Sequence, residues 1–196
     1  MKAPLLLLAA LLSPLALSAA VETGEPAPGF TLTDTEGNEH SLSDFEGQYV
    51  VLEWLNHQCP FVVRHYDSGN MPALQEKYTD QGVVWLSIVS SAPGKQGYFP
   101  PEEANQLTEE KGADPTAVLI DSSGTVGKAY GARTTPHMYV IDPEGVLVYQ
   151  GAIDDQPRGR NPSEATNYVV EALEASMNGE EVEVASTRPY GCSVKY

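Results

Sequence analysis

Residues 49–62 read YVVLEWLNHQCPFV, and this stretch decides the fold class of the chain. Residues 49–55 are apolar apart from one glutamate, which predicts a buried strand. Cys59 follows that strand after a short loop, and Pro60 comes next. Proline is tolerated at the first position of a helix because its missing N–H would be unpaired there. The stretch therefore predicts a strand, a loop and a helix with Cys59 at its N-cap.

The rest of the chain alternates between strand-like apolar runs and segments with helical spacing of apolar residues. We predict, in chain order, a hairpin at 29–42, a strand at 49–55, a helix at 61–78, a strand at 82–89, a helix from 101, a strand at 116–120, a short helix at 122–130, a hairpin at 137–149 and a helix at 162–177. This alternation predicts an α/β fold with a central mixed sheet flanked by helices, an N-terminal β-hairpin extension and a C-terminal tail. Sites in such sheets lie at the carboxyl ends of strands, where Cys59 falls.

Composition and charge exclude several classes of protein. The chain has 196 residues, 41% of them hydrophobic, which suits one domain with a real core. Its 27 acidic residues against 11 basic ones give a formal charge of −16. Such a charge repels phosphates, so nucleic acids and anionic membrane surfaces are not expected as partners.

Residues 1–20 read MKAPLLLLAALLSPLALSAA and are typical of an export signal. A basic start, an apolar run and small residues before position 21 predict cleavage after Ala20. Pro14 interrupts the apolar run, which is shorter than the roughly 20 residues of a spanning helix. We expect a periplasmic or secreted protein with a domain at 21–178 and a tail at 179–196, an uncleaved anchor being the alternative.

Cys59 is the candidate nucleophile. A helix N-terminus favours the thiolate and so lowers the pKa of a cysteine at that position. His57 and Arg64 could add positive charge nearby. A low-pKa thiol in an exported protein predicts thiol–disulfide chemistry, whereas a buried, inert cysteine is the alternative.

Thr135-Pro136 precedes the second predicted hairpin. A cis X–Pro bond is allowed at the start of a strand. Beside the helix of Cys59, it would expose the backbone of Thr135 to an extended partner strand. An ordinary trans proline at a sheet edge is equally compatible with these residues.

Cys192 lies in the tail, which is long enough to reach the active-site face at about 3.3 Å per extended residue. It could resolve a mixed disulfide or sulfenic acid on Cys59. A permanent structural bridge to Cys59 and an unpaired tail thiol are the other interpretations.

Four motifs carry a family resemblance: EW-NH-CPFV--HY at 53–66, VVWLSI-SSAPGKQG at 83–97, AYGA-TTPHM-VID at 129–142 and YGCSVKY at 190–196. With these motifs the chain resembles exported thioredoxin-like redoxins, the peroxiredoxin-like, AhpC/TSA-related proteins. The resemblance implies a thioredoxin fold, a nucleophilic thiol at Cys59 and a cis proline at Pro136. Its implied partners are protein or small-molecule thiols and disulfides, with no cofactor and no metal.

The chain also departs from the patterns of this group. Val62 stands where a Cys-x-x-Cys motif has its second cysteine. Leu52 and Asn56 replace the proline and threonine of the peroxidatic loop, and Arg133 lies three residues before the position of the peroxidatic arginine. Efficient peroxide reduction needs oxygen-polarising donors around the thiolate, so these departures disfavour it.

The sequence therefore predicts a thiol–disulfide oxidoreductase in which Cys59 and Cys192 are catalytic. We assign substrate binding to Asn56, His57, Pro60, Arg133, Thr135 and Pro136. One alternative is a weak thiol peroxidase, with Asn56 and Arg133 as partial substitutes for the missing donors. Others are a copper or zinc chaperone using Cys59 with His57, His65 and His137, and a non-catalytic domain that binds partners.

Overall fold

The computed structural model describes residues 21–158 and 161–196, so the predicted signal at 1–20 lies outside the described residues. The strands are β1 (Thr31–Asp34), β2 (Glu39–Ser41), β3 (Val50–Trp54), β4 (Val84–Val89), β5 (Ala117–Ile120), β6 (Thr134–Thr135), β7 (His137–Ile141), β8 (Leu147–Gly151) and β9 (Cys192–Ser193). The α-helices are α1 (Pro60–Asp67), α2 (Asn70–Thr79), α3 (Pro101–Glu110), α4 (Thr125–Tyr130) and α5 (Tyr168–Met177).

Seven strands form one mixed sheet in the order β2-β1-β5-β4-β3-β7-β8. Strands β3, β4 and β5 run parallel, and β7 pairs antiparallel with β3. The hairpin of β1 and β2 extends the sheet because β1 pairs antiparallel with β5. The α/β thioredoxin-like fold that the sequence predicts is confirmed, and β3 lies inside the sheet with Cys59 beyond its carboxyl end.

The sheet separates two apolar clusters. Val51 of β3 faces a cluster that includes residues of α1, α2 and α5. Leu52 and Trp54 face the opposite cluster, which includes Val126 and Tyr130 of α4. Successive side chains of β3 point to opposite faces of the sheet. Because both faces are covered, the sequence of β3 is almost continuously apolar. No helix within residues 21–158 and 161–196 has the length and apolar character needed to span a bilayer.

The single helix predicted at 61–78 is wrong, because the segment forms two helices, α1 and α2. Gly69 separates them with φ +75°, a left-handed conformation that glycine adopts readily. Pro72 then lies in the first turn of α2, where a residue without an N–H is tolerated.

The last helix begins later than predicted, at Tyr168 and not at Pro162. Residues Pro162–Glu164 form a short 3-10 turn. The side chain of Asn167 accepts hydrogen bonds from the amides of Val169 and Val170, so the N-cap lies there.

The Asp34 side chain stabilises the turn between β1 and β2. Its carboxylate accepts hydrogen bonds from the amides of Glu36 and Asn38 at 2.9 and 2.8 Å, and lies 2.8 Å from Nε2 of His40. Burial raises the pKa of Asp34, but these hydrogen bonds outweigh burial and lower it to about 2.

Replacing Asp34→Asn should lower the free energy of unfolding by about 1–2 kcal/mol at neutral pH, since hydrogen bonds to a charged acceptor are lost. The folded-state pKa lies below the ordinary value, so this stabilisation is fully present above about pH 4 and is lost as the pH falls towards 2. Urea unfolding of both proteins across this range measures the difference, with the exposed Asp80→Asn as control. A deficit that stays constant with pH would contradict the assignment.

Candidate active site around Cys59

Cys59 caps the helix that follows β3. Its backbone is extended, with φ −83° and ψ 121°, and Pro60 occupies the first helical position. The Cys59 carbonyl accepts the hydrogen bond from the Val63 amide at 2.9 Å, which begins the helical ladder. The side chain has an exposed fraction of 0%. The predicted N-cap position is confirmed, and the sulfur is buried there.

The Thr135-Pro136 segment meets the Cys59 loop. The peptide bond before Pro136 is cis, as predicted. The Cys59 thiol donates a hydrogen bond to the Thr135 carbonyl oxygen across 3.0 Å. Two segments 76 residues apart in the chain therefore contact each other through the sulfur.

The tail completes the site. Strand β9 pairs antiparallel with β6, which places Cys192 opposite Thr135 and Ser193 opposite Thr134. The Cys192 amide donates to the Cys59 sulfur at 3.4 Å, so the two cysteines are neighbours in the site. Both cysteines are free thiols.

Two further hydrogen bonds hold the end of the tail against the body. The Val194 amide donates to the Arg133 carbonyl at 3.1 Å, and the Tyr196 hydroxyl donates to the Ala132 carbonyl at 2.7 Å. The sequence analysis expects the backbone of Thr135 to receive an external partner strand, and this stays a prediction. The chain's own tail occupies that edge, and Thr135 is only 2% exposed.

The two thiols have opposite electrostatic surroundings. Burial acts to raise the pKa of Cys59, but hydrogen bonds from the Cys192 thiol and from backbone amides outweigh it and leave the pKa below its usual value. Burial and the neighbouring Cys59 raise the pKa of Cys192 to about 11. Cys59 is therefore the thiol that ionises first.

The positive charge expected from His57 is absent at neutral pH. Burial, followed by repulsion from Lys111, lowers the pKa of His57 to about 4. Arg64 donates to the Asp154 carboxylate at 3.2 Å and to the Gln156 carbonyl at 2.6 Å, so its charge is engaged by Asp154. Hydrogen bonds and the helix N-terminus, and not these two side chains, account for the low pKa of Cys59.

Asn56 shapes the loop before Cys59. Its Oδ1 accepts from the Gln58 amide at 2.9 Å, and its Nδ2 donates to the Gln96 carbonyl at 3.4 Å. The oxygen and the nitrogen of the Asn56 side-chain amide are thus both hydrogen-bonded to backbone groups. Pro60 and Arg133 are exposed at the surface.

Glu53 is a buried carboxylate that the sequence analysis did not single out. Its oxygens accept hydrogen bonds from the Tyr66 hydroxyl at 2.9 Å, Trp85 Nε1 at 3.0 Å, the Ser87 hydroxyl at 3.2 Å and Gln75 Nε2 at 3.2 Å. Burial raises its pKa despite these donors. The sequence contains one signal for this buried carboxylate, because Glu53 is the single charged residue within the apolar run at 49–55.

The histidines do not form a metal site within the described part of the chain, where no group of three or more His, Cys, Asp or Glu side chains is arranged to hold an ion. The His65 ring contacts the Tyr190 hydroxyl at 3.1 Å and the Asn70 amide at 3.0 Å. His137 Nδ1 lies 3.1 Å from the Tyr139 hydroxyl. Nothing in this geometry supports the chaperone alternative.

Comparison with known proteins points to redox chemistry. The AhpC/TSA family matches residues 23–150. The chain is 32% identical over 130 residues to the thiol-disulfide oxidoreductase ResA of Geobacillus thermodenitrificans, covering 64% of this chain and 67% of that protein. It is 30% identical over 162 residues to a thioredoxin peroxidase of Echinococcus granulosus, covering 74% and 78%. An uncharacterized conserved protein from Geobacillus kaustophilus has a similar structure, with a TM-score of 0.79, 30% identity and coverage of 89% and 92%.

The hydrogen bond from Cys192 to the Cys59 sulfur can be tested by removing the donor. Cys192→Ala should raise the pKa of Cys59 towards its usual value, whereas Cys192→Ser should raise it less because a hydroxyl can still donate. The pH dependence of Cys59 alkylation, followed by peptide mass spectrometry, measures both values. The same Cys59 pKa in the two variants would contradict the role of this donor.

Proposed function

The chain belongs to the AhpC/TSA family, and on that basis we propose that it is a thiol–disulfide oxidoreductase in which Cys59 attacks and Cys192 resolves. One observation carries the proposal: the β6–β9 pairing places Cys192 opposite Thr135, and the Cys192 amide donates a hydrogen bond to the Cys59 sulfur at 3.4 Å. The resemblance to relatives named thiol-disulfide oxidoreductase supports it.

The exchange has two steps. The Cys59 thiolate attacks one sulfur of a partner disulfide, the partner's S–S bond breaks, and the departing sulfur takes up a proton. The Cys192 thiolate then attacks the Cys59 sulfur of the mixed disulfide, which releases the partner's second sulfur as a thiol. The partner disulfide is thereby reduced to two thiols, and Cys59 and Cys192 become a disulfide. A dithiol or two monothiols must reduce that disulfide before the next cycle, and each step also runs in reverse.

The surroundings of Cys192 affect when the second step can occur. At neutral pH its pKa of about 11 keeps it protonated, because burial and the neighbouring Cys59 both disfavour its thiolate. Once Cys59 is in a mixed disulfide it carries no negative charge, so the repulsion from Cys59 is removed and the pKa of Cys192 falls. Loss of the Cys59 charge therefore makes the Cys192 thiolate easier to form in the mixed disulfide than in the free protein.

Single substitutions separate the two roles. Cys59→Ser should abolish exchange, because burial still raises the pKa of the remaining Cys192 thiol and this thiol does not lie at a helix N-terminus. Cys192→Ser should complete the first attack and accumulate a mixed disulfide on Cys59, because Val62 cannot resolve it. Mass spectrometry of each variant after challenge with a small disulfide measures the adducts. Turnover of Cys192→Ser at the wild-type rate without an adduct would contradict resolution by Cys192.

A second candidate activity is slow reduction of peroxides, which the similarity to a thioredoxin peroxidase favours. The Cys59 thiolate would attack one peroxide oxygen, giving a sulfenic acid and releasing water after protonation, and Cys192 would displace a second water to form the same disulfide. The engaged amide of Asn56 leaves fewer polarising donors than this reaction needs. Comparing the rates of Cys59 oxidation by hydrogen peroxide and by a small disulfide distinguishes the two activities.

We also propose that the chain is exported and cleaved after Ala20, which its N-terminal sequence supports. The residue after the proposed cleavage point is held by the fold, since the Val21 carbonyl accepts a hydrogen bond from Gln150 Nε2 at 2.9 Å. Expression of the full chain in a Gram-negative bacterium should yield a periplasmic protein that begins at Val21. Intact-mass measurement of the periplasmic fraction checks this, and recovery only of an uncleaved chain with the cells' membranes would contradict it.

A further inference from the structure

The structure holds Cys59 in a closed state. Its exposed fraction is 0%, and the tail lies on the Thr134–Thr135 edge beside it. A partner disulfide must touch the sulfur, so the tail has to leave this edge before the first step. Thr135 Oγ1 is buried without a hydrogen-bond partner among the described residues.

Gly191 lets the tail approach the edge closely. Its φ is +135°, and a Cβ at this position would overlap the carbonyl oxygen of Thr135. A larger residue directly before Cys192 would therefore push the strand away from β6. Only glycine fits immediately before a cysteine that pairs with Thr135 in this register.

Tyr190 occupies a polar pocket two residues before Cys192. Its hydroxyl donates to Asp154 Oδ1 at 2.5 Å and accepts from Arg64 Nη2 at 3.0 Å. His65 Nε2 lies 3.1 Å from the same oxygen. Asp154 and His65 are 2% and 0% exposed, so the pocket is a buried set of hydrogen-bonding groups that suits one phenol hydroxyl.

We propose that the tail occupies the binding site of a partner polypeptide. This partner is extended and carries the sequence Tyr-Gly-Cys. This inference rests on the proposed thiol–disulfide exchange and names the partner's chemistry. A strand that adds to the same edge repeats the same backbone pairing, so its reacting cysteine lies opposite Thr135. Its glycine then meets the Thr135 carbonyl, and its tyrosine enters the pocket of Arg64, His65 and Asp154.

The surface next to the pocket has room for the preceding residues of such a partner. A groove of about 990 Å³ runs beside Tyr190 and Gly191, with Phe61, Tyr168 and Arg158 among its lining residues. The partner enters by displacing the tail, and the tail returns when Cys192 resolves the mixed disulfide. The tail and the partner thus compete for one edge and one pocket.

Peptides test the recognition in the full-length chain carrying Cys192→Ser, which retains the tail and stops the reaction after the first step. The probe is the peptide Arg-Pro-Tyr-Gly-Cys-Ser-Val-Lys with its cysteine joined to a chromogenic aryl thiol, whose release reports attack by Cys59. The rate should saturate with this peptide. Alanine in place of its glycine should lower the second-order rate constant about tenfold or more, equivalent to roughly 1.4 kcal/mol. Phenylalanine in place of its tyrosine should lower it several-fold.

A second variant tests the competition. Adding Tyr190→Phe to the Cys192→Ser chain weakens the tail's own hold on the pocket, so every probe should react several-fold faster. This includes a small aryl disulfide that has no peptide. Tyr98→Phe, outside this network, is the matched control and should leave the rates unchanged.

The outcomes distinguish this proposal from the proposed function. If the small aryl disulfide fails to react with Cys59 even after Tyr190→Phe, thiol–disulfide exchange through Cys59 is wrong. If it reacts but all peptides react at the same rate per thiol, exchange stands and recognition of Tyr-Gly-Cys is overturned. The peptide comparison needs only the Cys192→Ser chain, so a folding defect in the Tyr190→Phe variant does not affect it.

Discussion

The site depends on the hydrogen bonds of one sulfur atom. Cys59 donates to the Thr135 carbonyl and accepts from the Cys192 amide, so a helix N-terminus, a cis-proline segment and the tail meet at that atom. These contacts bury the sulfur, and the hydrogen bonds that it accepts from Cys192 stabilise its thiolate. Any reaction at Cys59 changes the acceptor that the tail binds, and so couples the redox state of the sulfur to the position of the tail.

Features that depend on a few neighbouring residues could be predicted from the sequence. The apolar run at 49–55 is a strand because both of its faces are covered, and Cys59 caps α1 because Pro60 tolerates the next position. The cis bond before Pro136 agrees with its place at the start of β7. The strand and the N-cap follow from local sterics and hydrogen bonding, whereas the residues around Pro136 allowed cis and trans equally and the family resemblance favoured cis.

Features that depend on distant residues or on burial could not be predicted in this way. Cys192 and Cys59 are 133 residues apart, and no local pattern shows that a short tail strand pairs with Thr135. The neutral state of His57 follows from burial that only the folded chain defines. The break at Gly69 was visible as a weak helical position, but the choice between a kink and two helices depends on how α1 and α2 pack against the sheet.

The most direct test of the account is peptide mapping of the wild-type protein after equilibration in glutathione buffers of increasing oxidising strength. Because Cys192 lies against the Cys59 sulfur, the account predicts one oxidised species with a Cys59–Cys192 disulfide and no lasting glutathione adduct. A stable glutathione adduct on Cys59, with Cys192 remaining a free thiol beside it, would contradict the central claim that the tail cysteine resolves the nucleophile.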